Sequence, residues 1–157
     1  MPKKVRAIPK GYHSVTPHIV VRDAASAIAF YKKAFGAKEI MRLPGPSGAI
    51  MHAEIRIGDS GVMIANEMPE MGNKSPQALD GSPVDFYVYV EKVDAAYKRA
   101  VNAGAKVIMP VADMFWGDRM GRLEDPFGHS WSLASHVKDM TARKMKKAQE
   151  AFFAQRK

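Results

Sequence analysis

Segment 50–58, IMHAEIRIG, carries an imidazole, a carboxylate and a guanidinium at alternate positions: His52, Glu54 and Arg56. In a strand, successive side chains point to opposite faces, so these three share one face and Met51, Ala53, Ile55 and Ile57 share the other. Side chains two apart on a strand stand about 7 Å from each other at the backbone. That spacing suits acid–base work, with His52 or Glu54 moving a proton alpha to a carbonyl. It also permits shared ligation of a metal ion, with His18 approaching from an earlier strand. Each residue has a plainer use as well. His52 can be a hydrogen-bonded sheet histidine, and Glu54 a solvated or arginine-paired strand residue. Enclosure of Glu54 by apolar walls would raise its pKa and suit it to a base role.

A second set of residues is aromatic. Alternation in VDFYVYV, 84–90, sets Asp85, Tyr87 and Tyr89 against Phe86, Val88 and Val90, and in SVTPHIVV, 14–21, it groups Thr16, His18 and Val20. Trp116, in DMFWGDR, stands at the entry to a strand, where an indole can stack on a flat ligand, or pack under a helix or in a dimer seam. Trp131 alternates with Ser130 and Ser132, which directs it to a helix layer as core and leaves Ser132 on the opposite face.

The elements that must position these groups occur twice. SVTPHIVVR is followed by DAASAIAFYKKAFGA, and PVDFYVYV by EKVDAAYKRAVNAGA; both helical runs end in Gly-Ala, and each is followed by two more strand patterns. Glycine there suits a left-handed C-cap, and Asp23 suits an N-cap. The spacing predicts an α+β fold of two βαβββ modules, whose curved mixed sheets pair around a small-molecule cavity, followed by a C-terminal helix. The expected boundaries are a basic arm over 1–11, one domain over 12–136 and a basic helix over 137–157. Within the domain, module 1 covers 12–66, a linker 67–82 and module 2 83–136. The linker is rich in Pro, Gly, Asn and Met; it needs no other role, though its length and Met68 and Met71 would suit a lid.

Composition removes several classes of function. The length of 157 residues suits one domain, and zero cysteines exclude disulfides, a thiol nucleophile and thiolate zinc sites. No membrane span, Walker-type loop or serine elbow is legible, no secretory leader is expected, and a reducing cytoplasm is the expected location. The net charge of +8 resides in the termini. Lys3, Lys4, Arg6 and Lys10 lie in the first ten residues, and Lys138, Arg143, Lys144, Lys146, Lys147, Arg156 and Lys157 in the last twenty, while the body between is close to neutral. Without a recognition motif this charge does not indicate nucleic-acid binding. Met140, Met145, Ala148, Phe152 and Phe153 instead make an apolar stripe on a cationic helix, which would dock on its own body or on a second copy.

The strings AIAFYKKAFGA, MHAEIRIGDSGVMIANEMP and MFWGDRMGRLEDPFGHSWSL resemble the vicinal oxygen chelate superfamily, which includes glyoxalase I, extradiol dioxygenases and the fosfomycin- and bleomycin-resistance proteins, and within it the PhnB-like branch. Metal-dependent members similar to this chain hold their ion with His, Glu or Gln-type ligands from the first strand of each module and carboxylates from the last. That pattern falls on Thr16, a position near Ala65, Asp85 and Ser132, of which Asp85 alone is a strong ligand. The resemblance therefore implies a homodimeric small-molecule-binding protein without the usual metal or any other cofactor. An enzyme of lyase, isomerase or dioxygenase type is the alternative, using a relocated metal or Glu54 and His52. The expected ligand-binding residues are Thr16, His18, Arg56, Asp85, Tyr87, Tyr89, Trp116 and Ser132, with His52 and Glu54 as catalytic candidates.

Overall fold

A computed structural model describes Met1 and residues 5–156, so Lys3, Lys4 and Lys157 of the basic termini lie outside the described residues. The chain forms two compact units, Met1–Ser82 and Pro83–Lys157.

In the first unit, β1 (His18–Val21) leads into α1 (Ala24–Phe35), then β2 (Lys38–Pro44), β3 (Ile50–Ile57) and β4 (Ser60–Asn66). A 3-10 turn at Pro69–Met71 and the short α2 (Pro76–Leu79) follow. The strand order is β1-β4-β3-β2, with β1 parallel to β4 and the remaining pairs antiparallel. Asp23 caps α1 as expected, accepting from the Ser26 amide at 3.1 Å and the Ser26 hydroxyl at 2.6 Å. The helix stops at Gly36, whose φ of 65° is a left-handed cap that a Cβ would strain. Ala27, Ile28, Tyr31 and Ala34 of α1 are buried, as are Ile19, Ala53, Ile55 and Ile64 of the strands. Each large aliphatic side chain so buried contributes roughly 1.5–3 kcal/mol. This layer consumes one face of the sheet and leaves His18, His52, Glu54 and Arg56 on the other, by the parity of the pleat.

The second unit repeats the plan. β5 (Asp85–Tyr89), α3 (Val93–Ala103), β6 (Lys106–Asp113), β7 (Asp118–Glu124) and β8 (Ser130–His136) give the order β5-β8-β7-β6, with β5 parallel to β8. Trp131, Leu123, Leu133 and Val93 are buried in its core, and the Phe86 and Trp131 rings meet at 4.8 Å. The indole N–H of Trp131 donates to Asp125 at 2.9 Å, which satisfies its polar end inside the core. Both units tie the start of their helix to the last strand of their sheet: Ala24 N donates to the Asn66 side chain at 2.7 Å, and Val93 N to the Ser135 hydroxyl at 3.0 Å. That match aligns the two repeats residue by residue, with His18 equivalent to Tyr87 and Asn66 to Ser135.

The basic segment forms α4 (Ala142–Ala154), capped by Thr141. Its expected apolar stripe is only partly covered. Phe152 meets Phe115 of the same unit at 5.3 Å, whereas Met145 and Phe153 remain exposed. Among the described residues no helix is long and apolar enough to cross a membrane.

Candidate functional site

On the open face of the first sheet, Glu54 is the centre of a polar chain. Its Oε2 accepts from the Tyr12 hydroxyl, and its Oε1 lies 3.0 Å from His52 Nε2. The Tyr12 and His52 bonds hold the Glu54 carboxyl below its ordinary range, with Tyr12 the larger influence. Tyr12 is raised in turn by its bond to that carboxylate. This corrects the sequence-based condition for a base at Glu54, because the group is enclosed by donors rather than by apolar walls. His18 stacks on His52 with ring centroids 6.1 Å apart and planes at 14°. Arg56 is committed to the backbone. It donates to the Gly11 and Asp59 carbonyls at 3.0 and 3.2 Å and lies over the Tyr12 ring at 5.9 Å, which straps residues 11–12 to the sheet. Thr16 falls before β1, which begins at His18, so it is not a strand residue as expected.

The open face of the second sheet has a different centre. Asp118, at the start of β7, is 2% exposed. Its Oδ2 accepts from Tyr87 at 2.7 Å and Tyr89 at 2.9 Å, and its Oδ1 lies 2.8 Å from His136 Nδ1. Burial pushes this carboxyl up, but His136, Tyr87 and Tyr89 together outweigh burial and hold it below its ordinary value. Burial and the Asp118 bond push the Tyr87 phenol up to about 12, and the same carboxylate raises Tyr89. His136 is raised by Asp118 and by Asp139, whose Oδ1 lies 2.8 Å from its Nε2. Trp116 donates its indole N–H to the Tyr87 hydroxyl at 3.2 Å. Trp116, Tyr87 and Tyr89 are thus drawn into one array fastened to a single buried anion.

Asp85 is a further carboxylate on this face. Its two oxygens accept from Ser130 and Ser132, each at 2.6 Å, and Arg122 lies 3.6 Å away. Sheet register also corrects the family-based correspondence at Ala65. Ser132 pairs with Tyr87 and Met63 with His18, so the counterpart of Ser132 is Met63, while Ala65 corresponds to Ala134. The four expected metal positions therefore hold a threonine, a methionine or alanine, a carboxylate already held by two hydroxyls and an arginine, and a serine engaged with it. This donor set does not fit a divalent transition metal. Among the described residues, no three His, Asp or Glu side chains gather as a metal cluster.

Sequence reasoning missed Tyr12, Asp118 and His136. Alternation through DRMGRLE would have placed Asp118 on the same face as Arg122, but no pattern says which side chains reach it.

Comparison with known proteins agrees with the fold. The model of the Glyoxalase/Bleomycin resistance protein/Dioxygenase superfamily matches residues 11–133. Uncharacterized protein Mb0911c of Mycobacterium bovis is 49% identical over 130 residues, covering 81% of this chain and 86% of that protein. The crystal structure of TioX from Micromonospora sp. ML1 is 26% identical, with a TM-score of 0.64, over 80% of this chain and 99% of that one. The product of Arabidopsis thaliana At5g48480 is 27% identical, with a TM-score of 0.63, over 78% and 98%.

Proposed function

As this chain belongs to the glyoxalase/bleomycin resistance protein/dioxygenase superfamily, we propose that it is a metal-independent small-molecule-binding protein whose ligand rests on the aromatic face of its second sheet. The observation that carries this reading is the array of Tyr87, Tyr89 and Trp116 fastened to buried Asp118. Fixed aromatic side chains offer contact area at little entropic cost, because their rotamers are already chosen. Asp85 and Arg122 form a polar border on the same face and set the orientation of the ligand, with buried Ser132 holding Asp85 from behind at 2.6 Å. The reading extends to a cytoplasmic homodimer of the PhnB-like type, with the uncovered part of α4 packing against a second copy; the exposure of Met145 and Phe153 supports that contact.

The test is a titration of intrinsic fluorescence with a panel of neutral and charged aromatic molecules. Trp131 is 1% exposed and bonded to Asp125, so quenching on ligand addition reports Trp116. Saturable quenching in the wild type, with Trp116→Ala weakening binding by calorimetry more than Trp131→Ser does at equal folded fraction, supports the reading. The reverse order moves the site elsewhere. Stoichiometric retention of manganese, iron, nickel or zinc after desalting would overturn metal independence.

A second reading is favoured by the Tyr12–Glu54–His52 chain. With both Glu54 oxygens engaged, Glu54 is the orienting group and His52 the candidate base for a proton alpha to a carbonyl. A turnover that vanishes in His52→Gln would support it. Turnover unchanged in that variant would remove it.

A further inference from the structure

The Asp118 array has a geometry of its own, and it points to the charge of the ligand. The Tyr87 and Tyr89 rings touch, with centroids 5.3 Å apart and planes tilted by 57°, so together they present an angled aromatic surface rather than a parallel slot. They remain accessible at 39% and 62%, although both hydroxyl ends are anchored. A flat ring can stack on only one of two rings so inclined. A rounded group such as an alkylated ammonium touches both.

The electrostatics select the same group. The negative face of an aromatic ring attracts a cation, and the attraction grows as the ring becomes more electron-rich. Each phenol here donates its proton to a carboxylate, at 2.7 and 2.9 Å, and that bond pushes electron density back into the ring. At 2% exposure, Asp118 cannot meet a ligand itself, so its charge is felt through the two tyrosines. The neighbouring cations are already matched: His136 lies between Asp118 and Asp139, and the Arg122 side chain lies 3.6 Å from Asp85. Trp116, whose indole N–H donates to the Tyr87 hydroxyl at 3.2 Å, is a third aromatic side chain beside the pair.

We infer that Tyr87, Tyr89 and Trp116 form an aromatic cage for an alkylated ammonium group, with Asp118 as the positioning anion behind it. The inference rests on the aromatic-face reading above and narrows its ligand to organic cations. Choline and its uncharged isostere 3,3-dimethylbutan-1-ol have the same shape and differ in charge, so their affinities separate a cage from an apolar patch. Benzyl alcohol, a neutral aromatic probe, reports the face itself. The expected result is that choline binds about tenfold more tightly than the isostere by calorimetry and Trp116 fluorescence, in line with the combined strength of a cation over two exposed rings. Tyr89→Leu abolishes that preference, and because Tyr89 is largely exposed the variant keeps its fold, checked by circular dichroism. Tyr89→Phe retains the ring but not the Asp118 bond and keeps only part of the preference. Equal binding of choline and the isostere, with benzyl alcohol also bound, overturns the cage and leaves the aromatic face standing. No binding of any of the three overturns both.

Discussion

Replacing Asp118 by Asn keeps the shape of the side chain and removes its charge, which makes it the sharpest perturbation of the second unit. Asp118 accepts three hydrogen bonds, from Tyr87, Tyr89 and His136. Bonds to a charged group contribute about 1.5–3 kcal/mol each, against about 1 for neutral ones. If the amide oxygen takes the place of Oδ2, both tyrosine bonds survive in neutral form and lose about 1 kcal/mol each, and the contact to protonated His136 is lost. Relief from burying a charge offsets part of this. The ionised form is nonetheless the favoured one in the folded state, since the carboxyl lies below its ordinary value despite burial. The net expectation is about 2–3 kcal/mol of destabilisation, which for a chain of this size lowers Tm by about 5–10 °C. Thermal unfolding followed by circular dichroism at pH 7 measures it. Because the folded pKa is depressed, this stability is present above the unfolded value near 3.8 and is lost as pH falls through the lower folded value. The gap between wild type and Asp118→Asn should therefore close in acid. His136 acts in the opposite sense. Its pKa is raised, so its share is present below about 6.5 and disappears as pH rises through the folded value. A Tm for Asp118→Asn at or above that of the wild type at pH 7 would refute the claim that these donors stabilise the charge.

Three further outcomes follow from local geometry. Ser135→Ala removes the partner of the Val93 amide and the hydroxyl bonded at 2.6 Å to the Val90 carbonyl, so it should cost about 1–2 kcal/mol in urea unfolding; an unchanged midpoint would mean that the tie between α3 and β8 is incidental. Gly117→Ala should cost more than about 2 kcal/mol, because φ is 98° and the new Cβ would lie 2.1 Å from the Lys138 carbonyl oxygen. Wild-type stability in that variant would show that residues 137–138 yield freely. Removal of residues 140–157 should take the mass seen by light scattering from that of a dimer to that of a monomer while leaving the far-UV spectrum of both sheets in place; a truncated chain that remains dimeric would put the self-association surface elsewhere.

Much of the architecture is legible because its signals are local or periodic. Asp23 caps α1 and Gly36 and Gly104 end α1 and α3, since capping depends on a few neighbouring residues. The alternation around Trp131 separates a buried indole from Ser130 and Ser132, because the pleat has a period of two. The same parity brings Tyr87 and Tyr89 to one face. Register was less accessible: the family pattern falls near Ala65 in the first module and on Ser132 in the second, yet pairing with His18 makes Met63 the counterpart of Ser132, a two-residue shift that parity cannot detect.

The amino-acid order alone thus settles the two βαβββ repeats, their caps and the sides of their strands, all of which depend on residue type and short spacing. Tertiary structure decides the chemistry of the faces. Tyr12 comes from 42 residues away to hold Glu54 in its ionised form, and Tyr87 and Tyr89 reach Asp118 across 31 and 29 residues. A carboxylate acquires its pKa and its role from the donors around it, and those donors are neighbours only once the sheets have formed.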